Sequence, residues 1–325
     1  MEKNAYTYIQ SSYFNFSLLA CYHMKKSPAT PSKAADFPKT DVYEIVTNRI
    51  ILALEGGIIP WKQCWSAAHD APRNYQSGHV YTGINALLLG MQQAEKAYYL
   101  TFAQARALGG CVRKGEKGLP VVFFMPTKRE DDKGKEKKGA ILRYSTVFNV
   151  SQIDGIEWKL HELPSREHTP HEAAELLVKN YPSAPSIKHA GSSAVYRTST
   201  DTVTMPEAEL FATVEDYYQT LFHELAHSTG HKSRLNRDTL TEVAAFGSAT
   251  YAKEELVAEI GAAMLSGAAG LDMSVTEKST TAYLQNWLTA LRNDKKLIIS
   301  AASQAQKATN YIRGIVASYE AAPQE

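Results

Sequence analysis

Cysteine is scarce. Cys21, Cys64 and Cys111 are the three in 325 residues, odd in number and too scattered to form a CxxC pair. That excludes a disulfide framework and a cysteine-built metal cluster, and it makes a reducing cytoplasm the expected setting. Long hydrophobic runs are also missing. No stretch approaches about 18 apolar residues, so no membrane span and no membrane partner is expected. Leu18-Leu19-Ala20 is too short for the core of a signal peptide. Net charge is nearly absent, at +1. Hydrophobic residues, at 44%, are enough to build the cores of two domains in a chain of this length.

The small net charge conceals an asymmetry. Residues 1–150 hold 20 Lys/Arg against 12 Asp/Glu, a balance of +8, whereas 151–325 hold 15 against 22, a balance of −7. A polyanion is therefore an expected partner of the first half only.

The chain is organised around His223-Glu224-Leu225-Ala226-His227, within TLFHELAHSTGH. On a helix, positions i and i+4 share a face one turn apart, so two imidazoles at this spacing can grip one metal ion. Glu224 sits beside them, placed to work on a metal-bound water. A capping box at Thr213 to Asp216 starts the helix and Gly230 stops it. The motif alone also fits a buried helix whose histidines are hydrogen-bonded. The downstream run KEELVAEIGAAML favours the metal, because carboxylates inside so apolar a stretch need a cation or a proton. Zincins with a glutamate ligand take it from a following helix, and a carboxylate four residues later holds a ligand histidine from behind. Glu255 and Glu259 have that spacing. His231 lies beyond Gly230, and the longer HExxHxxGxxH pattern fails because position 233 is Ser. Glu254 points elsewhere on the helix and is the weaker ligand candidate. One Zn²⁺ on His223, His227 and Glu255 is the expected cofactor, with Glu224 catalytic.

Met24, an alternative start, opens a Pro-, Ser- and Lys-rich stretch, so 1–40 reads as a disordered leader. Helical periodicity marks 41–54, and Asn85 begins another helix. Trp61 and Trp65 are either core plugs or stacking platforms, and Tyr75 and Tyr81 flank a turn at Ser77-Gly78. Thr101 caps a short helix. Arg113, Lys114 and Lys117 form a basic, glycine-flanked turn ahead of an apolar strand at 121–124. Cations that track phosphates beside rings that stack on bases suit single-stranded DNA, though a solvated hairpin tip reads the same way. The mixed-charge segment 128–138 reads as a solvated loop and 144–150 as a strand. Residues 151–170 read as a linker in which His161-Glu162 is incidental. A helix from 170, two short strands around 194–206 and at least two terminal helices complete the chain.

PWKQCW, NYQSGHVYTGINALLL, YLTFAQARALGGCVRKGEKGLPVVFF, DTVTMP, HELAHSTGHKSRLNR and EELVAEIGAAML together resemble the ArdC-type antirestriction proteins of conjugative plasmids. The resemblance spans about residues 40 to 318, with Cys111 where a polar residue is expected. It implies an α+β architecture of two domains: a small α+β single-stranded-DNA-binding domain at 41–150, and a mainly helical zincin-like metallopeptidase domain with a small sheet at 171–325. It further implies protection of incoming plasmid DNA from host restriction, with a protein of the host restriction system as peptidase substrate. The alternative is a shield that coats single-stranded DNA and whose zincin domain is structural. A metal-dependent nuclease is weaker still, since no cluster of oxygen ligands for magnesium is present.

Overall fold

Asp41 caps the first helix by accepting a hydrogen bond from the Tyr43 amide at 3.0 Å, and α1 (Val42–Glu55) follows. The computed structural model describes residues 41–63, 71–92, 94–130, 136–160, 169–241, 249–273 and 281–315. The leader expected over 1–40, Trp65 and His161-Glu162 lie outside them. After α1 come α2 (Pro60–Gln63), β1 (Arg73–Asn74), α3 (Gly83–Gly90), β2 (Tyr98–Thr101) and α4 (Phe102–Ala107). Thr101 and Gln104 form a reciprocal capping box at the start of α4, which explains so abrupt a change from strand to helix. Then come β3 (Cys111–Val112), β4 (Leu119–Glu130), β5 (Glu136–Asn149) and β6 (Ile153–Asp154).

One sheet has the order β1-β2-β5-β4, antiparallel except for β1 on β2, and β3 and β6 form a separate ribbon. Two sequence expectations change here. The segment expected as a loop over 128–138 is mostly strand, because the β4–β5 ladder runs from Leu119↔Val147 out to Glu130↔Glu136. A ribbon in solvent tolerates charge, and each added pair satisfies backbone groups. The expected linker also begins later. Residues 153–154 pair with β3, and the Trp158 ring stands edge-on to Tyr75 at 4.9 Å.

The C-terminal part holds α5 (Pro170–Lys179), β7 (Ser186–His189), β8 (Val195–Arg197), β9 (Thr202–Met205), α6 (Val214–Ser228), α7 (Asp238–Thr241), α8 (Ala249–Ala269), α9 (Thr281–Asn293) and α10 (Leu297–Ile312). Its sheet has the order β7-β9-β8, with β8 antiparallel at one edge. The architecture is α+β. No helix among the described residues is long and apolar enough to cross a membrane.

Helix α8 is apolar nearly all round, and such a helix must be enclosed. On one side it joins α6 and the small sheet, where Val203, Met205, Phe222, Leu225 and Leu265 are buried together. On another it meets α9, α10 and the N-terminal helices in the largest core, which contains Val46, Ile50, Trp61, Leu87, Ile260, Trp287 and Ile298. The two parts of the chain thus share one apolar core, and the Gly83 amide adds a hydrogen bond to Gln306 Oε1 at 3.0 Å. A Cβ at Gly261 would lie 3.1 Å from Ala226 Cβ, so glycine lets α8 and α6 approach closely enough to face their polar side chains together.

Candidate metal centre

Thr213 caps α6, accepting from the Asp216 amide at 3.1 Å, and Leu221, Phe222, Leu225 and Ala226 fix its buried face. That orientation turns His223 and His227 toward α8. Their Nε2 atoms lie 3.1 Å apart. Glu255 brings one carboxylate oxygen to 3.5 Å from His223 Nε2 and the other to 3.6 Å from His227 Nε2. All three ligand atoms fall within 4.8 Å of one another.

The outer nitrogens meet carboxylates as well. His223 Nδ1 is 3.6 Å from Glu259 Oε1, and His227 Nδ1 is 3.2 Å from Glu254 Oε1. A carboxylate only accepts, so the His227 Nδ1 that bonds Glu254 is the protonated one and its Nε2 lone pair is turned into the cavity, while Glu259 adds a negative charge near His223 Nδ1. Two imidazole lone pairs and a carboxylate in such proximity repel one another unless a cation or a proton lies among them. The donor set fits a divalent metal ion. Without one, a proton takes that place. Burial pulls His223 down, but the hydrogen bond to Glu255 and the charges of Glu259, Glu224 and Glu255 outweigh it and lift the imidazole to about 9. An entering cation displaces that proton, so its affinity rises with pH through the neutral range.

Glu224 is buried at 8% exposure and accepts a hydrogen bond from the Tyr196 amide of β8 at 2.6 Å. A cavity of about 420 Å³ opens over these groups, with Ala194 and the β8 residues Val195 and Tyr196 on one wall and Thr239, Leu240 and Tyr251 on the others. Tyr251 also hydrogen-bonds Glu255, which together with the imidazoles holds that carboxyl low despite its burial.

Sequence reasoning missed the support behind His227. Glu254 lies outside the converging trio, but it does not point away from the site. It is 4% exposed and sits between His227 and the buried guanidinium of Arg237, whose Nε donates to it at 3.1 Å. Burial pushes Glu254 up, yet His227 and Arg237 bring it down to about 2. Arg237 also donates to the Ala226 carbonyl at 2.9 Å, and Gly230 makes room, since a Cβ there would meet the guanidinium at 2.9 Å. The buried charge of Glu254 was a readable signal, whereas Arg237 belongs to a loop with no periodicity. His231 bonds Ser233 instead, Nδ1 to Oγ at 2.7 Å. Arg237→Ala is expected to weaken metal binding by about 10- to 100-fold, because Glu254 loses its cation and His227 its orientation. Chelator competition measures this, and an unchanged affinity would remove Arg237 from the site.

The nucleic-acid candidates are dispersed. Trp61 is fully buried with its ring edge-on to Trp287 at 5.0 Å, and Tyr81 is buried at 9% exposure. Neither can stack on a base, because helix and sheet packing has claimed both rings. Tyr75 is half-buried between Tyr98 and Trp158. Arg113 is held by Glu116 at 2.8 Å and Asp154 at 3.2 Å, so a phosphate would have to compete with both. Lys114 and Lys117 are exposed.

Comparison with known proteins decides the family. Residues 40–148 match the family described as the N-terminal domain of anti-restriction factor ArdC, and residues 172–304 match the zincin-like metallopeptidase family. The metal-free crystal structure of the antirestriction protein ArdC from plasmid R388 is 38% identical, with a TM-score of 0.67 over 85% of this chain and 97% of that one. The chain belongs to the ArdC antirestriction family. The same R388 protein has an Mn(II)-bound structure, 37% identical with a TM-score of 0.67 over 86% of this ArdC-family chain and 100% of that one. DNA primase TraC of Escherichia coli is 36% identical over 298 residues, which are 85% of this chain but 20% of that protein, so the ArdC-family chain spans about a fifth of its length.

Proposed function

We propose that this ArdC-family protein protects incoming plasmid DNA from host restriction by binding single-stranded DNA through its part at 41–150 and by hydrolysing peptide bonds at a zinc centre within 171–325. The observation that carries the reading is the convergence of His223, His227 and Glu255 beside Glu224, in a cavity walled by an edge strand. Two imidazoles and one carboxylate suit zinc, a borderline-soft cation that takes nitrogen and oxygen donors. When bound, such an ion supplies Lewis-acid activation of water and of a peptide carbonyl.

The chain's own residues do the rest. Glu224 accepts the water's proton and delivers it to the leaving amine, with the Tyr196 amide fixing its carboxylate. Glu254 keeps the His227 imidazole in the metal-binding tautomer, and Glu259 adds a negative charge near His223 Nδ1. β8, adjacent to the cavity, offers backbone groups for an extended peptide. Supporting the DNA half are the basic balance of the N-terminal segment and its match to the ArdC N-terminal domain. The substrate is read as a protein of the host restriction system, met in the cytoplasm.

Conjugative transfer of an unmodified plasmid into a restricting recipient tests the reading. The wild type should raise transfer and Glu224→Gln should not. Full protection by that variant would replace the peptidase reading with a strand-coating shield.

A further inference from the structure

We propose that single-stranded DNA stacks on the middle of the β4–β5 ribbon, on Phe124 and Tyr144, with Lys114 and Lys117 near the ribbon's base for phosphate. This rests on the single-stranded-DNA reading above and gives it a surface.

Exposure points there first. The exposed aromatic side chains among the described residues are Phe102, Phe123, Phe124 and Tyr144, and all but Phe102 belong to one stretch of this ribbon. Phe124 is 53% exposed and Tyr144 45%. The ladder pairs Val122 with Tyr144 and Phe124 with Leu142. Side chains of paired residues, and of residues two apart, share a face, so Phe124 and Tyr144 are diagonal neighbours on one side, about 7–8 Å apart. Val122 and Leu142, on that same side, are buried in the large core and tie the ribbon to it alongside the rings. Phe123 is paired with exposed Arg143 on the opposite side.

Among the described residues, Phe124 and Tyr144 stack on no other aromatic ring, and both stay largely exposed. Leu119, Val121 and Val147 fill a core at the ribbon's base, and the exposed rings come after it. An exposed apolar ribbon invites strand pairing with another chain, yet this edge is blunted against it. Pro120 and Pro126 lack N–H groups, and Asn85 occupies Val122 from the side, accepting from its amide and donating to its carbonyl, each at 2.7 Å. What remains for a partner is the side chains themselves: flat apolar surfaces. The sequence around them is cationic. Residues 113–143 hold ten Lys/Arg against five Asp/Glu, and exposed Lys114 and Lys117 lie just before the ribbon's base. Exposed ring faces in a cationic stretch of sequence fit a strand of nucleic acid bound without sequence preference.

The test uses the full chain and fluorescein-labelled oligo-dT, followed by anisotropy at several salt concentrations. Phe124→Ala and Tyr144→Ala should each weaken binding by about tenfold, within the range for loss of one base stack. Phe102→Ala should not. An abasic oligonucleotide should bind the wild type more weakly than oligo-dT, and the double ring variant should bind the two equally. Reversing the charge at both Lys114 and Lys117 should lower the slope of affinity against salt by about two phosphate contacts. Wild-type affinity in the double ring variant would overturn the ribbon while leaving DNA binding in place. No binding by the wild type would overturn both. A change in oligomeric state by light scattering, with DNA affinity unaltered, would make the rings a protein interface and also overturn the proposal.

Discussion

Glu224→Gln is expected to keep the fold and the bound metal while losing about 10²- to 10⁴-fold in peptide hydrolysis, the usual contribution of a positioned general base. The substitution is nearly isosteric, and its amide oxygen can still accept the Tyr196 N–H that anchors Glu224 now. None of the three converging ligand atoms belongs to Glu224, so the donor set is unchanged. What disappears is the ability to take a proton from water. Fluorogenic casein turnover, with metal content measured on the same sample, checks the separation. Residual activity equal to the wild type would pass the proton to another group on the cavity wall.

The second large effect lies away from the metal. Trp61→Ala should destabilise the protein by about 3–5 kcal/mol, the range for truncating a buried aromatic. Trp61 is 0% exposed and packed against Trp287 of α9, so the cavity would open between the N-terminal helices and the C-terminal bundle. Because those elements share one core, calorimetry should show a single transition moving down by about 10 °C. Trp61→Phe should recover most of the loss, since the indole Nε1 has no hydrogen-bond partner among the described residues. Two separate transitions, with only one shifted, would mean that the core is not cooperative across the two parts.

How legible these features were depends on the kind of signal. The spacing of His223 and His227 and the carboxylates at 255 and 259 could be read because helical periodicity converts sequence distance into shared faces. The ends of α1 and α4 could be read from Asp41 and Thr101, whose caps are local. Burial of the aromatics could not. Trp61 and Tyr81 are amphipathic rings whose fate depends on elements hundreds of residues away in the case of Trp287. Charge misled in the other direction. The 128–138 segment looked like a loop because its composition is polar, yet backbone pairing carries β4 and β5 through most of it. The parallel strand β7, with only four residues and mostly exposed side chains, lacked an apolar pattern to announce it. The support from Glu254 and Arg237 needed a tertiary contact between a helix and a loop, and no periodic rule supplies that.

The most direct measurement is metal stoichiometry and affinity for the wild type, His223→Ala, His227→Ala and Glu255→Ala. Each protein is first stripped with a chelator, then titrated with Zn²⁺ in competition with an indicator. The arrangement of one carboxylate and two imidazoles within 4.8 Å predicts one ion per wild-type chain and a loss of high-affinity binding in each variant. Undiminished binding in His223→Ala, or no binding by the wild type, would contradict the account.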